Sequence, residues 1–290
     1  MKRHAFRIFL NLFILFIISC GAPKSNLDTT HIGGCILREP SGKPLDDLYS
    51  LTEIIQTDEF QPFTKKLTVC GITLIGREDI SDGFMKKVAE TIKEMLSPDG
   101  ENIDKELQER LITNMYKYRT VIPLFKGENY EFSSSNEKKW DQTVTENSIC
   151  DIIMEGVPGQ VTEVVEHILH FVTVIGMHYT FPNEWGISRS SELYTTMEDA
   201  IDKQFYDIGQ YSDIDQDNEK LRVLLQEYAY WIIYTAWNLR EPYGPPEAEW
   251  SIMSSSELNN KLPQSYQLFQ KMVPKVMVRP SKEMLESFIN

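Results

Sequence analysis

The chain is poor in cysteine, in histidine and in positive charge. Its 290 residues include four Cys and five His, and 29 Lys and Arg stand against 43 Asp and Glu, a net charge of −14. So acidic a surface repels nucleic acid and anionic lipid, and no basic patch offsets it. No CxxC pair or Cys/His spacing suggests a zinc knuckle. There is no GxSxG, no P-loop and no GxGxxG opening a helix after a strand, so serine-hydrolase and nucleotide-binding chemistries lack the residues they need. The sequence also lacks internal repeats and low-complexity segments.

Long apolar runs are scarce too, and the main one is N-terminal. Lys2, Arg3 and Arg7 form a basic region before "IFLNLFILFII", which is too short to span a bilayer comfortably. It ends at "IISC", where Ser19 precedes Cys20 after two aliphatic residues. This resembles a bacterial lipobox. The resemblance implies a signal peptide over residues 1–19, a lipidated Cys20 and a polar tether over 20–34. It implies a bacterial cell-envelope protein, periplasmic or surface-exposed, that meets the membrane through its lipid anchor alone. Loss of Lys2, Arg3 and Arg7 takes the net charge to about −17. Of the remaining Cys35, Cys70 and Cys150, two can pair in an oxidising compartment and one is left over. Cys70, in "LTVCGITLIG", reads as a small apolar residue of a buried strand.

Residues 35–290 read as one domain, an α/β part over about 35–159 and a helical part over about 160–290. Leu67–Gly76 reads as a strand and Gly83–Leu96 as a helix capped by Ser81 or Asp82. Ile103–Tyr116 is helical, and "RTVIPLF" is a strand whose Pro123 suggests an edge or a strand end. Gly127–Ser148 reads as loop, and "CDIIMEGVPG" offers a last short strand. Three helices follow, over Val161–Tyr179, Thr195–Gly209 and about Asn218–Leu239. "REPYGPP" stops the third, and shorter pieces follow Ser255. The fold class is therefore α+β, a small β-sheet with a backing helix followed by a mostly helical C-terminal half. "YSDIDQDNEK" spaces Asp213, Asp215 and Asp217 like half a calcium loop. Asn218 and Leu224 replace the required Gly and Glu, so it reads as a solvated cap of the next helix.

The residues that carry chemistry lie in "VVEHILHFVTVIGMHYTFP". At helical spacing Glu166 and His170 are offset by only about 40° and share a face. Glu163 and His167 are related in the same way, so several ligand-type side chains border one stripe. His178 falls on that side too but about 16 Å farther along.

In the arrangement H-E-x-x-H, the first and fifth residues hold zinc and the Glu activates water. Here "EHILH" places Glu166, His167 and His170 at the first, second and fifth positions. With Gly176 six residues after His170, the following helix and the later "QEYAYW", the chain resembles the gluzincin branch of the zincin metallopeptidases. Among these it is most similar to the anthrax lethal-factor-like family. The likeness covers roughly Leu67–Val273 and rests on order and spacing.

The resemblance implies a zincin-like fold and metal ligands Glu166, His170 and Glu227, with His167 at the base position. Tyr266, in "LPQSYQLF", is implied as an oxyanion donor. A second geometry uses His167 and His170 with Glu163 or Glu227. Zinc is the implied cofactor, and oxygen-rich sets also admit Mn or Fe. Glu/His/Glu cancels the ion's charge, which weakens it as a Lewis acid. The expectation is a metal-dependent peptidase with altered or lost activity, its substrate or partner a peptide or protein. The competing class is a metal-free interaction protein.

Overall fold

The computed structural model describes residues 35–128, 132, 134–245 and 249–289. The signal segment, Cys20 and the tether lie outside them. Among the described residues no helix is long and apolar enough to cross a membrane.

The architecture is α+β. Strands β1 (Ile55–Phe60), β2 (Phe63–Val69), β3 (Ile72–Gly76), β4 (Thr120–Lys126) and β5 (Ile153–Glu155) form one sheet in that order. β1, β2 and β3 pair antiparallel, and β3, β4 and β5 pair parallel. Helices α1 (Asp82–Met95) and α2 (Lys105–Lys117) make the first parallel crossover, and α3 (Ser134–Glu146) makes the second.

Three expectations are corrected here. Leu67–Gly76 is not one strand but the hairpin of β2 and β3. Cys70 (φ 45°) and Gly71 (φ 84°) form its two-residue turn, and paired positive φ angles match the right-handed twist of the strands. Pro123 is neither at an edge nor at a strand end. It pairs with Ile75 inside β4. Val121 donates its N–H to Ser148, so Pro123, two residues on, turns its nitrogen to the same side just before pairing with β5 begins at Leu124. Gly127–Ser148 is not all loop, because α3 occupies most of it.

α3 is polar, and Trp140 is its buried anchor. Trp140 packs with Phe63, Phe125 and Ile75 on one sheet face. Alternate residues Leu67, Leu74, Ile122 and Leu124 point into the main core on the other. The sheet is therefore covered on both faces.

From Gln160 onward the named elements are helical. α4 (Gln160–Phe171) runs into a π-helical stretch, Val172–Met177, and a last turn, His178–Thr180. A Cβ on Gly176 would lie 3.1 Å from Leu111 and 3.3 Å from Met115, so this glycine lets α2 pack close. After α5 (Glu192–Asp202) comes α6 (Asp217–Ala236), buried on nearly every side from Leu221 to Thr235. α7 (Ser255–Lys261) and α8 (Pro263–Met272) pack against α6. A disulfide joins Cys35 to Cys150, and Cys70 is buried and free.

Candidate metal centre

α4 lies between β5 and α6, and the centre forms where its polar stripe meets α6. A helix buried all round cannot solvate polar side chains, so those it carries must find partners inside. Glu227 of α6 does so against α4. Glu166, His170 and Glu227 each offer one ligand atom, and these atoms lie within 4.8 Å of one another. His170 is 1% exposed and Glu227 7%. A tetrahedral ion with bonds of about 2.0–2.2 Å spaces its ligands roughly 3–4 Å apart, so only a small closure is needed.

The tautomer of His170 is set from outside that triangle. Asp151, just before β5, places Oδ2 2.7 Å from Nδ1 of His170, which donates to it. The other nitrogen, Nε2, stands 3.5 Å from Oε2 of Glu227, too far for a good hydrogen bond, and has no hydrogen-bond partner among the described residues. An orphaned imidazole nitrogen facing two carboxylates is the donor set a divalent cation uses, with Asp151 orienting the ring behind it.

Asp151 is held in turn by α6. Arg222 pairs with Glu219 at 2.7 Å and donates to Oε1 of Gln226 at 2.6 Å. That fixes the Gln226 amide with its nitrogen 3.4 Å from Asp151 Oδ2 and 3.2 Å from His170 Nδ1.

His167 faces elsewhere. Its Nδ1 donates to the backbone oxygen of Glu163 at 2.6 Å and lies 3.3 Å from that residue's carboxylate. Its Nε2 lies 3.6 Å from Asp151 Oδ1. The Glu163 carboxylate also accepts from the Met154 N–H at 2.7 Å. Asp151, His167 and His170 form a second group of ligand atoms within 4.8 Å of one another, and Glu163 belongs to neither group.

The electrostatics are those of crowded acids. Burial pushes the Glu166 carboxyl up to about 8; His167 opposes this, and Glu227 adds to it. Burial would drive His170 neutral, but Glu227 and Asp151 outweigh it and raise the imidazole to about 10. Desolvation works against ionised Asp151, yet His167 and His170 hold its carboxyl below the ordinary range. Glu249, which accepts from Trp231 and Tyr211, is pushed up to about 8 by burial and by Glu227. Carboxyls crowded this closely keep their protons until a cation competes for them.

Comparison with protein-family models, curated proteins and solved structures finds no match to this chain. The chemistry of the centre is therefore read from its own side chains.

Other predicted positions lie apart from the centre. Tyr266, half-buried in α8, has its hydroxyl bonded by Gln270 at 3.1 Å, one turn on. His178 accepts the Ile187 N–H at 3.0 Å. Asp213, Asp215 and Asp217 are exposed, and Asp217 opens α6. Sequence reasoning missed Asp151, Arg222, Gln226 and Tyr230. The Tyr230 ring stands edge-on to His170, with centroids 5.8 Å apart, and its buried hydroxyl has no hydrogen-bond partner among the described residues. Two surface grooves lie apart, one of about 390 Å³ beside β1 and β2 and one of about 430 Å³ between β1 and α3, and no residue of the centre lines either.

Proposed function

We propose that the chain is an exported, lipid-anchored protein on a zincin-like frame. It holds a divalent cation through Glu166, His170 and Glu227 and has lost peptide hydrolysis. The observation that carries the reading is the orphaned Nε2 of His170, buried and turned toward Glu227.

Three features support loss of hydrolysis. The donor set neutralises a divalent ion, which makes it a poor activator of water. The residue at the base position, His167, is engaged by Glu163 and Asp151 rather than aimed at the three ligands. Two of the ligands, His170 and Glu227, are withdrawn from solvent, and Glu166 is partly so. When bound, the ion supplies positive charge to a buried acidic cluster, and Asp151, itself held by Gln226, orients the His170 ring. The Cys35–Cys150 disulfide supports an oxidising, extracytoplasmic location.

Elemental analysis of purified protein, dialysed against Zn, Mn or Fe, tests the reading. The equivalent held by this set is expected to be lost in Glu227→Ala and His170→Ala, with casein and peptide libraries left uncut. Metal content unchanged in both variants refutes the ligand set, and cleavage abolished by His167→Ala refutes the loss of activity.

A metal-free interaction protein is the second reading. The raised imidazole of His170 favours it, since a proton between Asp151 and Glu227 also balances their charge. A wild-type protein that takes up no metal, with its fold intact, selects this reading.

A further inference from the structure

His170 has two nitrogens, and the cation proposed above uses only Nε2. The other faces a separate set of donors. Asp151 Oδ2 lies 2.7 Å from His170 Nδ1, and Asp151 Oδ1 lies 3.6 Å from His167 Nε2. The two rings stand 5.5 Å apart at 77°.

The tautomer of His167 is the informative feature. Its Nδ1–H is consumed by the Glu163 backbone oxygen at 2.6 Å, so Nε2 is the nitrogen that it turns toward Asp151 Oδ1. The two groups face each other where the His167 side chain is 12% exposed and that of Asp151 11%. Asp151, His167 and His170 each offer one ligand atom, all within 4.8 Å of one another, so a cation that takes the place of the protons they share reaches all three. Ligands of an ion with bonds near 2.0–2.2 Å are roughly 3 Å apart when adjacent on an octahedron, and Asp151 approaches the two rings at 2.7 and 3.6 Å through its two different oxygens.

We propose that Asp151, His167 Nε2 and His170 Nδ1 form a second divalent-cation position, distinct from the one at Glu166 and Glu227. Two imidazoles and one carboxylate suit Fe(II), Mn(II) or Zn(II). When the ion binds, the Nδ1 proton of His170, now shared with Asp151, and the Nε2 proton of His167 both leave to solvent. Filling both positions makes the His170 ring a bridge between the ions. The proposal does not need Glu166 or Glu227 to bind anything, so it stands or falls separately from the centre described above.

Metal titration of the full chain with Zn(II) and Mn(II), read by elemental analysis and calorimetry, tests it. The comparison uses His167→Gln, His167→Asn and Glu227→Gln, each checked for its fold by circular dichroism. Two equivalents are expected in the wild type. The His167 variants lose one of them, with affinity at that position falling beyond the roughly 10–100-fold that outer ligand-supporting changes cost. Glu227→Gln loses the other. A single equivalent that disappears with His167 and survives Glu227→Gln also supports the second position, and overturns the first. The proposal is overturned if both His167 variants bind as the wild type does. It is equally overturned if one equivalent is lost in both His167 and Glu227 variants, or if no metal binds.

Discussion

Nε2 of His170 and Oε2 of Glu227 face each other across two buried helices at 3.5 Å. Each side chain is withdrawn from water, and each is incomplete alone. The distance is long for a good hydrogen bond and close to the edge between two ligands of one tetrahedral ion. The first prediction follows from that gap.

Metal should stabilise the protein through this pair. At free metal 100-fold above its dissociation constant, binding adds about 2.7 kcal/mol, which raises Tm by about 5–10 °C in a chain of this size. Differential scanning calorimetry with and without Zn(II) measures the shift. Glu227→Gln and Glu166→Gln should show less than half of it, and an undiminished shift in both variants refutes their role.

Removal of the imidazole should be costly even without metal. His170→Ala leaves Asp151 and Glu227 buried without their common partner, a loss of about 3–5 kcal/mol. Urea denaturation in the presence of chelator reports it. A loss below about 1 kcal/mol would mean that these carboxylates reach solvent after all.

The Cys35–Cys150 bond closes a loop of 115 residues. Constraining so long a loop in the unfolded chain contributes about 2–5 kcal/mol. The double variant Cys35→Ala, Cys150→Ala should unfold at correspondingly lower denaturant. Reductant should have little further effect on it, because the remaining Cys70 is buried and unpaired.

Acid should loosen the sheet from α1. Glu155 at the end of β5 accepts from the Ser81 hydroxyl at 2.6 Å and amide at 3.0 Å, and lies 3.1 Å from Lys126. Burial alone would raise its carboxyl, but these donors hold it below the ordinary range. A depressed folded pKa stabilises above the ordinary carboxyl pKa and is lost as pH falls through the folded one. Glu155→Gln should therefore flatten the acid limb of stability against pH. Ser81→Ala should flatten it too and cost about 1 kcal/mol more by removing the cap on Phe84. Unchanged acid limbs in both would exclude the clamp.

Much of the fold was legible because apolar spacing and capping agree. Ser81 before α1, the helical periodicity of α4 and the stop after α6 are strong local signals. The hairpin was hidden because a cysteine, not the usual Asn or Asp, precedes Gly71 in its turn. α3 was hidden because one tryptophan carries most of its burial. Pro123 misled because its position in β4 depends on where β5 starts, which no local pattern reveals.

At the centre, the shared face of Glu166 and His170 follows from a spacing of four, while Glu227 came from a family resemblance alone. Asp151 sits in an irregular segment beside a cysteine and offers no periodic signal. Arg222 and Gln226 did leave a trace. With Glu219 they form a polar line along α6, and in a helix whose other faces are apolar such a line has to be paired.

The first described residue, Cys35, is covalently bound to the neighbour of Asp151. A mechanical load entering from the N-terminal side therefore bypasses β1 and arrives at the segment that grips His170. Tension on this protein would be felt at Asp151 and the His170 ring before any strand begins to peel.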